Sequence, residues 1–271
     1  MVEWLKLFQE ISEEICQKVK PILGSEKARE AMGRGAGGDI MKYIDFLAED
    51  LVVKALETRG ASCILISEEC GVRKIGGSDR DYVVIDSIDG TTNATRNIPF
   101  ASTSIAHASS GFLKGIDVAL VKDLYRGTTF TAQKGKGALG EGKLLSPSTI
   151  DSLGKAIAAI DLSVQEKLPA LMDRLLPLLC DTLKIRAIGS TALEVYYVAS
   201  GALDAFVDLR GTTRAVDLAA AYLILKESGG TIITPSGEDL TMPLKADART
   251  AFISAANKTL RNEILHLLKA S

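Results

Sequence analysis

Histidine is almost missing from this chain: among 271 residues there are only two, His107 and His266. A histidine-based catalytic triad would rest on His107 alone, in a serine-containing, strand-like segment, because His266 falls in an amphipathic helical pattern near the C-terminus. The four cysteines, Cys16, Cys63, Cys70 and Cys180, have no paired spacing. That argues against a zinc site and a disulfide framework, and the expectation is a cytoplasmic protein with reduced thiols. No apolar run reaches the length of a membrane span, and the N-terminus lacks a signal-peptide pattern. With 32 basic and 34 acidic residues the formal net charge is −2, so no global field draws the chain to nucleic acid or an anionic membrane. The length permits a sizeable core, as one large domain or two modest ones.

Against that background one stretch stands out. Residues 82–85 form a short apolar run rich in β-branched side chains and read as a buried strand. The run delivers Asp86 and Asp89, three residues apart, and then Gly90-Thr91-Thr92. Carboxylates at the end of a buried strand are costly unless something positive neutralises them. A hard divalent cation does so, because Mg²⁺ takes oxygen ligands, commonly one or two carboxylates plus substrate phosphate. The Gly-Thr-Thr segment then offers backbone N–H groups to an anion at the start of a helix.

The flanking chain supplies more acids. Residues 1–23 carry the pattern of an amphipathic helix, and Gly33-Arg34-Gly35-Ala36-Gly37-Gly38 reads as a mobile or tightly turning loop, or a plain linker. Asp39 is a candidate N-cap for a second helix running through Ile40, Tyr43, Ile44, Leu47 and Leu51, and Asp45 falls on or beside its apolar stripe. By pattern alone Asp45 is a solvated or capping residue. Residues 62–67 form another strand ending in acids, Glu68 and Glu69, of which only one easily faces a given point. Residues 71–81 read as a polar loop. Strands over 102–108, 115–121 and 127–132 suggest an antiparallel sheet. Lys134-Gly135-Lys136-Gly137 is a hairpin turn, without the spacing of a phosphate-binding P-loop.

From about Pro147 strands and helices alternate: strands at 156–161, 184–188 and 205–209, helices at 164–180, 192–200 and 218–228. Thr191 and Glu194 have capping-box spacing, and Asp217 stands where a helix N-cap would. The expected architecture is mixed, α+β grading into α/β. A mainly antiparallel N-terminal subdomain, 1–146, carries most of the acids, and an α/β subdomain, 147–271, carries Asp217.

Phosphatases of the haloacid dehalogenase type place Asp-x-Asp-Gly-Thr after a strand, the first Asp being the nucleophile. Here Ser87 stands two residues before Asp89 and Asp86 is one position further away. A one-residue offset in extended backbone changes the face, which favours activated water over an aspartyl-phosphate.

Three separated segments together resemble the inositol monophosphatase / fructose-1,6-bisphosphatase superfamily of Mg²⁺-dependent, lithium-sensitive phosphatases. They are Ser67-Glu68-Glu69, then Asp86-Ser87-Ile88-Asp89-Gly90-Thr91-Thr92-Asn93, and Val216-Asp217-Leu218-Ala219-Ala220 with Glu227-Ser228-Gly229-Gly230. Ser87 replaces a family proline and Val216 a tryptophan; neither change removes a ligand. Weaker similarity covers nearly the whole chain. Arg210 and Arg214 resemble the archaeal-type branch that hydrolyses both inositol 1-phosphate and fructose 1,6-bisphosphate.

The resemblance implies a layered α-β-α-β-α sugar-phosphatase fold and a homodimer. It implies two or three Mg²⁺ ions held by Glu68, Asp86, Asp89, Asp217 and the carbonyl of Ile88, with Asp86 bridging. Gly90 and Thr91 would bind phosphate through their N–H groups, and Thr91 with Asp45 would orient and deprotonate the attacking water. Ser190, Thr191 and Arg210 would line the substrate's alcohol side, and Arg34 and Asp39 would belong to a mobile loop completing a third metal site. The expected substrate is a small sugar or inositol phosphate. Alternatives are a nucleotide phosphatase of the same superfamily, acting on phosphoadenosine phosphate or NADP, and a regulatory binding protein on the same fold.

Overall fold

The computed structural model describes residues 2–164 and 168–270. After helix α1 (Trp4–Val19), a two-stranded hairpin of β1 (Ala31–Arg34) and β2 (Ile40–Lys42) leads directly into α2 (Tyr43–Thr58). The glycine-rich segment is therefore the tip of a hairpin. Asp39 caps nothing: it precedes β2, and the N-cap of α2 is Lys42, whose N–H donates to Asp45 Oδ2 at 3.0 Å. The helix starts three residues late because the antiparallel pairing of β2 claims residues 40–42 first.

The large sheet contains β3 (Cys63–Ser67), β4 (Gly71–Ile75), β5 (Tyr82–Asp89), β6 (Ser102–Ala108), β7 (Ile116–Asp123), β8 (Thr129–Gln133), β9 (Ala138–Gly140) and β10 (Lys143–Leu144). Their spatial order is β10-β9-β8-β7-β6-β5-β3-β4, antiparallel throughout except for the parallel pair β3/β5. Strand β4 corrects the loop expected over 71–81. Its middle residues, Val72, Arg73 and Lys74, are exposed at the sheet edge and carry no apolar alternation.

The small sheet contains β11 (Ile157–Ile160), β12 (Lys184–Arg186), β13 (Ala205–Arg214), β14 (Thr231–Ile233) and β15 (Arg249–Ala255), in the order β12-β11-β13-β15-β14. Strand β11 runs parallel to β12 and β13, while β15 is antiparallel to both of its neighbours. The remaining helices are α3 (Thr91–Arg96), α4 (Leu168–Asp181), α5 (Thr191–Ala199), α6 (Ala215–Ser228) and α7 (Lys258–Ala270). The helical expectation for residues 165–167 lies outside the described residues.

Alternating side chains show how the layers stack. On β3 and β5, Leu65, Val83 and Ile85 join the core under α1 and α2, whereas Ile66 and Val84 join the core under α5 and α6. On the small sheet, Phe206 and Phe252 face α5 and α6, while Val207 and Ile253 face α4 and α7. The order of layers is α-β-α-β-α. Sheets covered on both faces need strands apolar on both, so β5 reads as an unbroken run. Helix α6, packed between the sheets, is buried from Ala215 through Leu225, and a helix apolar all round is what such a position requires. Gly135 and Gly137 donate N–H groups to the two carboxylate oxygens of Glu227 on α6, at 2.9 and 3.0 Å. The expected hairpin turn thus ties the large sheet to the central helix.

Candidate active site

Strands β3 and β5 are parallel, and Ser67 pairs with Ile85, so both strands end at the same edge with Glu68 beside Asp86. Beyond this point the pairing of β5 with β6 slips: Asp86 lies opposite Ser104, but Asp89 lies opposite Ser102. The extra residue is a bulge, which re-aims side chains. Residues three apart in regular extended chain face opposite ways. The bulge resets the alternation, and both aspartates line one cleft of about 720 Å³.

Asp217 enters from the first turn of α6. Its Oδ2 accepts the Arg214 N–H at 2.9 Å, so it caps the helix from the third helical position and not as the N-cap. Carboxylate oxygens of Glu68, Asp86 and Asp217 all lie within 4.8 Å of one another. Burial raises the pKa of each, carrying Glu68 and Asp86 well above the usual carboxylate range, and the neighbouring acids push those two further the same way. The guanidinium of Arg214 pulls all three back down, and that of Arg249 adds a smaller pull on Asp217. An all-oxygen set of converging carboxylates, short of positive charge, fits a hard divalent cation of the Mg²⁺ or Ca²⁺ type and offers none of the nitrogen or sulfur that zinc and copper favour.

Asp89 stands beside this trio on a different footing. It accepts the N–H groups of Thr191 (3.2 Å) and Ala192 (2.8 Å) at the start of α5, and the Ser190 hydroxyl at 2.5 Å. Burial nevertheless leads, and its pKa is raised to about 7. Ser190 is 1% exposed and points at Asp89, so it does not line the substrate side as expected; Thr191 does line the cleft. The spacing of Thr191 and Glu194 makes no capping box, because Ser190 is the N-cap and Glu194 Oε1 accepts the N–H of Ile188.

Gly90 has φ +90°, and a Cβ there would lie 3.0 Å from the Phe100 carbonyl and 3.1 Å from that of Gly189. Only glycine fits this turn into α3. Thr91 Oγ1 lies 2.9 Å from Asp45 Oδ1 and 3.0 Å from the Ile88 carbonyl oxygen. Asp45 is buried, not solvated, and burial raises its pKa to about 6 against the opposing bonds from Lys42 and Thr91.

Arg210 is held by carboxylates at the cleft wall. Its Nη2 lies 2.8 Å from Asp161 and 2.7 Å from Asp208, and its Nε donates to Asp208 Oδ1. Asp39 lies at the rim, 81% exposed. Arg34 is not brought to the acids: its guanidinium donates to the Gly38 carbonyl across the hairpin. His107 is also outside the cleft, stacked on Trp4 and bonded to Asp117 and Asp81. The sequence reading missed Asp161 and Lys42, both of which line the cleft. Asp161 ends an expected strand, the same signal that singled out Glu68 and Asp86.

The profile of the inositol monophosphatase family matches residues 3–270. A fructose-1,6-bisphosphatase/inositol-1-monophosphatase from Methanothermobacter thermautotrophicus is 35% identical over 98% of this chain and 96% of its own length. A bifunctional NADP phosphatase/NAD kinase from Methanococcus maripaludis is also 35% identical over 98% of this chain, which spans 48% of that longer relative. The crystal structure of a gene product described as an inositol monophosphatase-fructose 1,6-bisphosphatase superposes with a TM-score of 0.87 at 29% identity, covering 98% of this chain and 100% of that one. The chain belongs to the inositol monophosphatase family. It is a metal-dependent phosphatase, and its substrates are small-molecule phosphates.

Proposed function

We propose that this protein is a Mg²⁺-dependent phosphomonoesterase that hydrolyses inositol 1-phosphate, fructose 1,6-bisphosphate, or both. The observation that carries the reading is the convergence of Glu68, Asp86 and Asp217 beside the Thr91–Asp45 pair. Glu68, Asp86, Asp89, Asp217 and the Ile88 carbonyl would hold two or three ions. When bound, these ions stabilise charge on the attacking and departing oxygens of an in-line displacement.

The chain's own residues have separate tasks. Thr91 has one hydroxyl proton and two acceptors in reach, Asp45 and the Ile88 carbonyl. With its O–H donated as a hydrogen bond to the Asp45 carboxylate, Thr91 has a lone pair free to accept a hydrogen bond from water and fix its direction. Asp45, with its pKa near 6, is matched to accept a proton near neutral pH. Gly90 and Thr91 would hold phosphate through their N–H groups where the chain turns into α3. Asp89 is fixed by the α5 N-terminus, and Ser190 acts in that positioning. Thr191 and Arg210 would line the alcohol side.

We place residues 1–146 and 147–271 as two subdomains meeting at this cleft, and the assembly as a cytoplasmic homodimer. Phosphate release should be measured on a panel of inositol 1-phosphate, fructose 1,6-bisphosphate, phosphoadenosine phosphate and NADP. Mg²⁺-dependent turnover of either of the first two supports the reading. Turnover confined to the nucleotides overturns the substrate, and unchanged turnover in EDTA overturns the mechanism.

A further inference from the structure

Arg214 is the only cationic side chain within ion-pair distance of the Glu68, Asp86 and Asp217 trio among the described residues. Its Nη1 lies 2.6 Å from Glu68 Oε1 and 3.4 Å from Asp39 Oδ2, and its Nε lies 3.4 Å from Asp217 Oδ1. The side chain is 20% exposed. It is roofed by the tip of the β1/β2 hairpin, where the N–H groups of Ala36 and Gly37 donate to the carbonyls of Glu69 and Glu68. A Cβ on Gly37 would come within 2.9 Å of Nη1, so the hairpin passes over the guanidinium at contact distance. Arg214 is thus gripped from two sides, by acids below and by the hairpin with Asp39 above.

We propose that Arg214 is a built-in competitor for the divalent cation, holding Glu68 and Asp217 until metal displaces it and thereby setting the metal affinity of the site. This rests on the reading of the trio as the metal site. A Mg²⁺–oxygen contact is about 2.0–2.1 Å, so a cation on the Glu68 oxygen and a guanidinium 2.6 Å from that oxygen would be two positive charges in near contact. The dication neutralises more of the cluster's charge and wins once its concentration is sufficient. The guanidinium then withdraws toward Asp39, carrying with it a contact that holds the hairpin. Arg210, fixed by Asp161 and Asp208, has no such exchange open to it. The arginine closest to the metal ligands is the displaceable one.

The test is calorimetric titration of Mg²⁺ into EDTA-stripped full-length protein, with thermal midpoints recorded before and after loading. Arg214→Met should bind Mg²⁺ about tenfold more tightly than the parent, an ordinary size for coupling between linked sites. It should also melt lower when stripped and gain more from Mg²⁺. Arg214→Lys keeps the charge but cannot span Glu68 and Asp217 with a fork, and should fall between the two. Should Arg214→Met not fold when stripped, a several-fold gain in Arg214→Lys carries the same meaning. Unchanged or weaker Mg²⁺ binding in folded Arg214→Met, or in Arg214→Lys where the Met variant is unfolded, overturns the proposal. No Mg²⁺ uptake by the parent would instead overturn the metal-site reading on which it stands.

Discussion

Two groups of buried acids in this protein each contain one arginine, and they differ in how completely that arginine serves them. In the first, Asp161 and Asp208 share the Arg210 guanidinium, and further donors complete the set. The backbone N–H of Arg210 and the Thr213 hydroxyl bond Asp208, and the Ser163 N–H bonds Asp161. In the second, carboxylate oxygens of Glu68, Asp86 and Asp217 lie within 4.8 Å of one another, Arg214 reaches Glu68 and Asp217, and Asp89 stands beside them. The first is a closed ion-pair network that holds a cleft wall. The second has more negative charge than its residues neutralise. Burying charge is expensive, so an acid cluster left short of cations points to a cation supplied from outside.

The contrast is sharpest if one acid is neutralised in each group. Asp86→Asn should lower turnover by about 10³-fold or more, a loss on the scale of removing an electrostatic stabiliser of the transition state. It should also raise the thermal midpoint of EDTA-stripped protein, because it relieves repulsion. Asp208→Asn should do the opposite to stability, costing about 3–5 kcal/mol, since it leaves Arg210 buried with half its partners. Denaturant melts of the two stripped variants decide the matter; a shift in the same direction for both would erase the distinction.

Next in size, Thr91→Ala and Asp45→Asn should each lower kcat by about 10²–10⁴-fold with a small change in KM, the range of general base catalysis. Steady-state kinetics on the double variant should show far less than the product of the two losses, because the pair acts as a unit.

The effect of pH on the second group is smaller. The trio and Asp89 have pKa values raised by burial, so the folded chain binds more protons than the unfolded one above about pH 4. Their contribution to stability is complete below the unfolded values near 4 and is lost as pH rises through the raised folded values. In EDTA the thermal midpoint should fall between about pH 4 and 8, and saturating Mg²⁺, which binds the ionised acids, should flatten the fall. Activity should show an acid limb near pH 6, where Asp45 ionises, and Asp45→Asn should remove that limb.

The smallest expected change comes from the wall. Arg210→Lys, which keeps a cation for the buried Asp161 and Asp208 but loses the guanidinium fork, should alter KM more than kcat, and unequally between inositol 1-phosphate and fructose 1,6-bisphosphate, because in the proposed reading this side chain would touch the alcohol side and not the reacting phosphorus. Equal changes for both substrates would remove Arg210 from discrimination.

The sequence spoke most clearly where local pattern and buried position coincide. The run into Asp86 and the strand before Glu68 are apolar on both faces because helices cover both faces, and their acids fall where the strands end. The layered order of the fold was implied by the family resemblance, and the structure bears it out. Asp217 was open between cap and ligand, and its side chain both caps α6 and joins the trio. Asp45 looked solvated because a single acid beside an apolar stripe has no local sign of its partner; Thr91 is 46 residues away. The hairpin over residues 31–42 was hidden because its glycine-rich tip has no alternation, and β4 because an edge strand need not be apolar. Ser190 and Arg210 show a further limit, since each turns toward an acid far away in sequence, Asp89 for Ser190 and Asp161 for Arg210. The Ser190 hydroxyl turns inward to Asp89, and the Arg210 guanidinium spends its donors on Asp161 and Asp208.

The central claim is that Glu68, Asp86 and Asp217 form a cation site on which phosphate-ester hydrolysis depends. Its most direct test is phosphate release from fructose 1,6-bisphosphate and inositol 1-phosphate by EDTA-stripped protein titrated with Mg²⁺. The account predicts no release before Mg²⁺ is added, saturable recovery as it is added, and no recovery in Asp86→Asn. Release by the stripped parent at the rate of the Mg²⁺-loaded protein would contradict it.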